Sequence, residues 1–405
     1  MTDEILNNLK SNDEFHKFII NNSNAETTKL RLKKFRDLNF DVNFAILQID
    51  CKKRIKKKLP EIYSYQNFFF PNTLSTEQCT AEEIAKFHAS LLGNNESILD
   101  MTAGLCIDSY YISKSVKEVT ALEINPDVAI VSSHNMSEFT NNVTVLNCDC
   151  IDFVKNNTKQ YSSIFIDPAR RGENNKRLFS LSDCTPNILD LIPYLTKISK
   201  NLYIKASTML DITQSIKELH YNVTDTWVIG INNECKEVLF KVALNNTSPV
   251  ISRIHTINFE NTTIQKLSLS SNDKSTLSKY YCELKDAIYL YEPNSCIMKA
   301  GIFASLEDKF CLTAISHNSH LFISQHFTDD FPGRKFKILE LIPFKNTEIK
   351  NIKKIHPQIN VSVRNFKLTA EELKKKLKVQ DGGDKYLFGT TDKNNNALLL
   401  ICEKV

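Results

Sequence analysis

The sequence predicts an α/β protein: a mostly parallel sheet closed by an antiparallel hairpin, with a helical region before it and small α+β domains after it. Three observations carry this. From residue 97, short apolar runs alternate with amphipathic stretches, the pattern of parallel strands covered by helices on both faces. The alternation breaks at "YNVTDTWVIGI" and "ECKEVLFKVAL", which only Asn232 and Asn233 separate; that gap fits a hairpin and not another crossover helix. Residues 1–60, by contrast, carry helical spacing and no strand-like run.

The elements read in order as follows. "FDVNFAILQIDCKKRIKKKLP" spaces its apolar residues along one helical face, puts six basic residues among the seven of 52–58, and ends at Pro60 as a stop. Basic side chains at a helix C-terminus also complement its dipole. "NFFFPNTLSTEQCTAEEIAKFHASLLG" reads as a loop and one helix, capped by Ser75 or Thr76 and closed by Gly93. Strands follow at "SILDMT", "VTALEI", "VTVLNC", "SSIFID" and "NLYIKA". Helices fall at "IDSYYISKSV", "PDVAIVSSHNMSEF", "DITQSIKEL" and, despite Pro193, "PNILDLIPYLTKIS". "NTSPVIS" (246–252) reads as a linker. Residues 253–330 read as short strands and loops with a helix near 275–288. Residues 331–405 form a second small α/β region, with "FKILELI" and "ALLLICEKV" as strands around the helix "TAEELKKKLKV".

Hydrophobic content of 42% and charged content of 24% are those of an ordinary soluble globular chain. No apolar run approaches the ~20 residues of a membrane span, and "MTDEILNNLK" lacks the basic and apolar regions of a secretory signal. The 11 cysteines include no C-x-x-C pair and read as reduced thiols. A cytoplasmic protein without metal or membrane partner is expected. The net charge of +4 is uneven: residues 1–60 hold 13 Lys+Arg against 8 Asp+Glu, residues 331–405 hold 16 against 8, and the middle holds 22 against 31. Basic ends around an acidic middle suggest a polyanion held by the flanks; solvated lysine-rich helices would give the same count.

"SILDMTAGLCIDS" (97–109) is a strand, a tight turn with Gly104, and a helix start. Such a turn brings backbone N–H groups to a ligand. One glycine, Asp100 at the strand end and Asp108 at the helix start suit a ligand with cationic groups better than a phosphate. Glu123 ends the next strand about twenty residues on, where a carboxylate can accept ribose hydroxyls. Asp149 follows the third strand, placed to accept an amino group. A parallel sheet closed by a hairpin, with these residues in order over roughly 76–245, resembles the class I S-adenosylmethionine-dependent methyltransferases. The resemblance implies S-adenosylmethionine as cofactor, held by Asp100, Thr102, Gly104, Asp108, Glu123, Ile124 and Asp149. Cys106 departs from the pattern, since these loops often carry a second glycine there.

The fourth strand ends "IDPARRG" (166–172). Proline stops the strand and delivers Asp167 where α/β proteins place their chemistry. In this class the position holds the reaction motif, and enzymes acting on exocyclic amines often carry Asp/Asn-Pro-Pro-Tyr/Phe there. Here Arg170 occupies the aromatic position. The motif also looks like the "DPPR" of RNA 5-methyluridine enzymes, which need a cysteine nucleophile after the next strand; "LYIKASTMLD" has none. The resemblance therefore implies Asp167, Pro168 and Arg170 as catalytic residues acting on a nitrogen, with Arg171 and Lys205 toward substrate. Arginines here can stack on a base or clamp a phosphate; Arg170 bracing the loop against Asp167 or Asp149 is the structural alternative.

More of the chain resembles one bacterial group of methyltransferase-like proteins. The matching stretches are "KKLPEIYSYQNFFFP", "LSTEQCTAEEIAKFHASLL", "IKASTMLDI", "YEPNSCIMKAGIF", "FPGRKFKI", "VSVRNF" and "LKVQDGGDKYLFGTT". That resemblance implies a helical region at 1–75, a methyltransferase domain at 76–250, a ferredoxin-like region at 251–330 and a THUMP-like RNA-binding domain at 331–405. It implies RNA, either tRNA or rRNA, as partner. In the last region Arg334, Arg364 and Lys385 lie near Phe331, Phe366, Tyr386 and Phe388, a mixture that can bind phosphates and stack bases. The resulting expectation is base N-methylation of RNA. A protein methyltransferase and a catalytically silent RNA-binding protein are the alternatives. A dehydrogenase fits least, because one glycine stands where G-x-G-x-x-G is needed.

Overall fold

A computed structural model describes residues 2–405 except 95, 170–179, 221, 247–249, 262 and 271–281. The chain divides into two units, Met1–Thr224 with Val238–Val250, and Asp225–Glu237 with Ile251–Val405.

In the first unit the N-terminal region is helical: α1 (Asp3–Lys10), α2 (Asp13–Asn21), α3 (Thr27–Arg31), α4 (Val42–Ile55) and α5 (Pro60–Ser64). Thr2, Asn12 and Asp41 cap α1, α2 and α4 by accepting from backbone N–H groups. Their apolar stripes, including Leu6, Phe15, Ile19, Phe44 and Ile49, bury together with Phe69. Pro60 starts α5 and does not simply stop α4, since its missing N–H falls where a helix needs none. The expected single helix after the Phe run is two: α6 (Thr73–Gln78) and α7 (Glu82–Leu92). Asn72 caps α6 through Ser75 N at 2.7 Å, in place of Ser75 or Thr76. Gly93 follows α7 with right-handed φ of −65°. The Phe run is pinned by side chains that mimic a strand partner: Asn135 bonds Phe69 N and O, and Gln48 bonds Phe70 N and O.

The alternating part follows as β1 (Ser97–Asp100), α8 (Ile107–Ser113), β2 (Glu118–Glu123), α9 (Pro126–Phe139), β3 (Val143–Asn147), α10 (Cys150–Asn156), β4 (Ser163–Ile166), α11 (Ile188–Ile198), β5 (Asn201–Ala206) and α12 (Ile212–Glu218). Helix α10 was not expected; it is two turns long, and only Cys150 and Val154 bury. Strands β1 to β5 lie in the order β3-β2-β1-β4-β5, all parallel. Strands β1 and β4 are buried throughout, which is why they read as continuous apolar runs. β6 (Val223–Ile231) and β7 (Glu234–Ala243) flank the Asn232–Asn233 turn, whose φ values of 50° and 61° suit asparagine. Residues 238–243 of β7 run antiparallel to β5.

In the second unit β6 does not end the pairing. It runs parallel to β8 (Arg253–Phe259), and β8 pairs antiparallel with β9 (Ile264–Ser270). The hairpin is thus followed by further strands, which the sequence reading had assigned to a separate small domain. Next come β10 (Tyr289–Pro293), α13 (Ser295–Ala300), α14 (Phe303–Phe310), β11 (Thr313–Ala314), β12 (Phe322–Ser324), β13 (Gly333–Pro343), α15 (Asn346–Ile349), α16 (Ile352–Ile355), β14 (Asn360–Val363), α17 (Ala370–Leu377), β15 (Lys385–Thr391) and β16 (Ala397–Lys404). Of the helix expected near 275–288, residues up to 281 lie outside the described ones, and the rest holds one 3-10 turn, Leu284–Asp286. The seven strands β10 to β16 form a sheet in the order β11-β12-β10-β13-β16-β15-β14. Both faces of β16 bury: Leu398, Leu400 and Cys402 join Leu290 and Phe336, while Leu399 and Ile401 join Leu373 and Leu377 of α17.

No described helix is long and apolar enough to cross a membrane. Four of the six cations in the run 52–58 make local bonds, although Lys53, Arg54, Lys56 and Lys57 stay exposed. Lys52 donates to Tyr65 O at 3.2 Å, Lys53 to Ala25 O, and Lys58 to Glu77 O at 2.5 Å, while Arg54 pairs with Glu77 and Asp50.

Candidate cofactor and catalytic site

Parallel strands bring their C-terminal ends to one edge, and the order β2-β1-β4-β5 sets Glu123, Asp100, Asp167 and Lys205 at neighbouring positions. Asp100 is 2% exposed. Its Oδ2 accepts from Ser109 Oγ at 2.6 Å and its Oδ1 from Thr102 N at 3.3 Å. The turn after it continues the flanking ladders: Met101 N donates to Phe165 O and Ala103 N to Leu122 O, each at 2.9 Å.

Gly104 has a φ of +53°, and a Cβ built on it would meet nothing within 4 Å. The turn therefore leaves open space on the side where a larger residue would project. Cys106, two residues on, is also left-handed at φ 57°, the conformation that a second glycine would adopt without strain. Glu123 closes the turn from the side, with Oε2 accepting from Gly104 N at 3.0 Å and Oε1 from Asn125 N at 2.7 Å. Ile124 beside it is 66% exposed, an apolar face at the rim. Asp149 caps α10 by accepting from Ile151 N at 2.7 Å.

Asp167 Oδ2 lies 2.6 Å from the Lys205 ammonium, and Asp167 N donates to Thr102 Oγ1 at 2.8 Å. Lys205 is 5% exposed and also donates to Thr80 Oγ1 at 2.9 Å. Thr80 donates to Asp108 Oδ2 at 2.5 Å, and Asp108 Oδ1 lies 2.8 Å from His88 Nδ1. A continuous polar chain thus runs Asp167, Lys205, Thr80, Asp108, His88. Lys205, expected toward substrate, instead holds the strand-end aspartate. Asp108 is likewise bonded inside this chain. Pro168 is buried beside Asp167. Arg170 and Arg171 lie outside the described residues, so their placement as clamp or brace is not part of this geometry.

Thr80 and His88 were not singled out in the sequence. His88 is a polar position on the buried face of α7 among Ile84, Ala85, Ala89 and Leu92, and that was the available signal for it; Thr80 precedes the helix and carried none. One thiol also approaches: Cys79 feels the charges of Lys205 and Asp108. Burial pushes its thiol up, and its Sγ donates to Thr76 O at 3.1 Å. A protonated thiol is a poor nucleophile.

The carboxyls divide in character. Burial pushes Asp100 up to about 7, against the bonds from Ser109 and Thr102. Burial also pushes Asp108 upward, but His88, by charge and hydrogen bond, then Lys205 and Thr80 outweigh it and hold it at about 2. Asp100 therefore keeps its proton in the folded state over a range where the unfolded chain has lost it. Its contribution to stability is complete below about pH 4 and declines as pH rises through about 7. The decline should be on the order of 4 kcal/mol. Urea unfolding of wild type and Asp100→Asn between pH 4 and 8 checks this; the variant should lose that part of the slope, and an unchanged slope assigns it elsewhere.

Comparisons agree with this architecture. Residues 289–332 match a ferredoxin-like domain family and residues 333–404 a THUMP domain-like family. The chain superposes on a crystal structure described as a putative methyltransferase from Porphyromonas gingivalis W83, with a TM-score of 0.86 and 27% identity over 99% of this chain and 98% of that one. An uncharacterized RNA methyltransferase of Mycoplasma mobile is 35% identical over 80 residues, 19% of this chain. The match spans only 22% of that protein's length. The chain thus carries a ferredoxin-like and a THUMP-like region toward its C-terminal end and is similar, over 99% of its length, to a structure described as a putative methyltransferase.

Proposed function

We propose that the protein transfers the methyl group of S-adenosylmethionine to a base nitrogen of tRNA or rRNA. The observation that carries the reading is the row of Glu123, Asp100 and Asp167 on three adjacent strand ends, beside a turn that is open at Gly104. The residues fit the cofactor. The turn leaves open space at Gly104, Glu123 retains acceptor capacity for ribose hydroxyls, and the exposed Ile124 and nearby Asp149 suit an adenine. Asp108 is held in its charged form, and Asp100 adds a buried hydrogen-bonding carboxyl beside the turn. When bound, the cofactor provides an electrophilic methyl group on a sulfonium.

The chain's own residues do the rest. Lys205 fixes Asp167 through Oδ2, which leaves Oδ1 to accept a hydrogen bond from the target N–H and to orient the nitrogen lone pair. Thr102, bonded to Asp167 N, couples the cofactor turn to the reaction motif. The proton lost by the methylated nitrogen passes to solvent past Asp167, whose side chain is 29% exposed. RNA as substrate is supported by the THUMP-like match and by the basic charge of residues 331–405.

Mass spectrometry of tRNA and rRNA nucleosides from a deletion strain tests the activity; a methylated nucleoside should disappear and return on complementation. Calorimetry with purified protein tests the pocket. Glu123→Ala should weaken S-adenosylmethionine binding by roughly 1–3 kcal/mol through loss of hydrogen bonds to a charged acceptor. Equal affinity in the variant removes Glu123 from the pocket, and no binding by the wild type defeats the reading.

A further inference from the structure

We propose that Arg334 and Arg364 form a phosphodiester clamp for RNA, pre-set by the buried carboxylate of Glu292. The inference rests on the RNA-methyltransferase reading and names a surface through which that substrate is held.

Glu292 of β10 is 2% exposed. Arg364, following β14, donates to its Oε1 from Nε at 3.2 Å and from Nη2 at 2.9 Å. Arg334 of β13 donates to its Oε2 from Nε at 2.6 Å and also from Nη2. Two guanidiniums thus share one carboxylate. A single arginine would neutralise a buried glutamate; the second adds a positive charge that nothing inside the cluster balances. Both arginine side chains are 37% exposed, so the surplus charge meets solvent. The Nη1 groups of both have no acceptor among the described residues, and a guanidinium edge matches two phosphate oxygens.

The neighbouring lysines differ. Lys335 pairs with Asp329, Lys374 with Glu371 and Asp381, and Lys385 with Glu403. Their charges are balanced locally, whereas the arginine pair holds one positive charge more than its carboxylate. The aromatics expected among these residues divide as well. Phe331 and Phe388 are core, and Phe366 packs against the cluster of Leu373 and Leu377. Tyr386 lies under Arg334 at 5.9 Å, with the buried Phe336 at 5.5 Å, and the two hold its plane. A solvent-facing pair of guanidiniums with fixed planes fits a phosphodiester.

The test uses the full-length protein and a fluorescent 20-nucleotide single-stranded RNA of mixed sequence, with anisotropy read from 50 to 300 mM salt. Arg334→Gln and Arg364→Gln should each weaken binding about tenfold and reduce the salt slope by about one. Arg334→Lys and Arg364→Lys keep a cation against Glu292, and so the fold, but lose the fork; they should weaken binding severalfold with a nearly unchanged slope. Thermal unfolding and S-adenosylmethionine calorimetry at wild-type values establish that each variant is folded. If the folded arginine variants keep wild-type affinity and slope, the pair only braces β10 against β13 and β14, and the clamp is overturned while the methyltransferase reading stands. A wild type that binds S-adenosylmethionine but no RNA at 50 mM salt overturns the RNA reading and the clamp together.

Discussion

Asp167→Ala is expected to lower the single-turnover rate of methyl transfer by about 10²–10³ at saturating RNA, the loss typical when a preorganised electrostatic contact to the reacting group is removed. Cofactor affinity should change little, because Asp167 meets the turn only through its backbone N–H to Thr102. The loss belongs in kcat, since the missing contact acts on the target nitrogen near the transition state. The fold adds a second effect. Alanine also removes the carboxylate 2.6 Å from the Lys205 ammonium, in a site where that lysine is 5% exposed. Asp167→Asn separates the two effects: its amide oxygen can still accept from Lys205, so stability should be nearer wild type while the rate stays low. A wild-type rate in the alanine variant would make the strand-end aspartate structural.

Asp108→Ala should have the largest effect on stability. Asp108 lies between His88, whose side chain is fully buried, and Thr80, which leads on to Lys205. Removing one member of a buried charged network typically costs about 3–5 kcal/mol, read as a lower midpoint in urea. The pH dependence has a definite sign. The folded carboxyl is held at about 2, below its unfolded value, so its stabilisation is present above about pH 4 and lost as pH falls toward 2. The alanine variant should lose that part of the acid sensitivity. A variant as stable as wild type at pH 7 would mean that the chain from Asp167 to His88 is not coupled to the fold.

What the sequence by itself determined lies within single elements. Strands β1 and β4 were legible because burial on two faces gives continuous apolar runs, and the Asn232–Asn233 turn because a left-handed turn demands residues such as asparagine. Helix α9 was legible to the residue from Pro126 at its first turn. Strand ends were legible too, and with them the positions of Asp100, Glu123 and Asp167, because parallel strands necessarily bring their C-terminal ends together. Short elements escaped: α10 and α13 bury too few residues to show a period, and β14, between two helices, and β15, after α17, do not alternate clearly.

Only the tertiary structure decided which charge meets which. Lys205 lies within "NLYIKA", where a lysine in an apolar strand reads as one polar position. Its partners Thr80 and Asp167 are 125 and 38 residues away. Arg334 and Arg364 lie 42 and 72 residues from Glu292 and come from β13 and the end of β14. Residues 1–60 read as one basic flank for a polyanion, yet four of the six cations at 52–58 bond backbone carbonyls or carboxylates of their own unit. Periodicity records which face of one element leaves water. The partner of a buried charge depends on which elements are brought within about 3 Å, and long-range packing alone sets that distance.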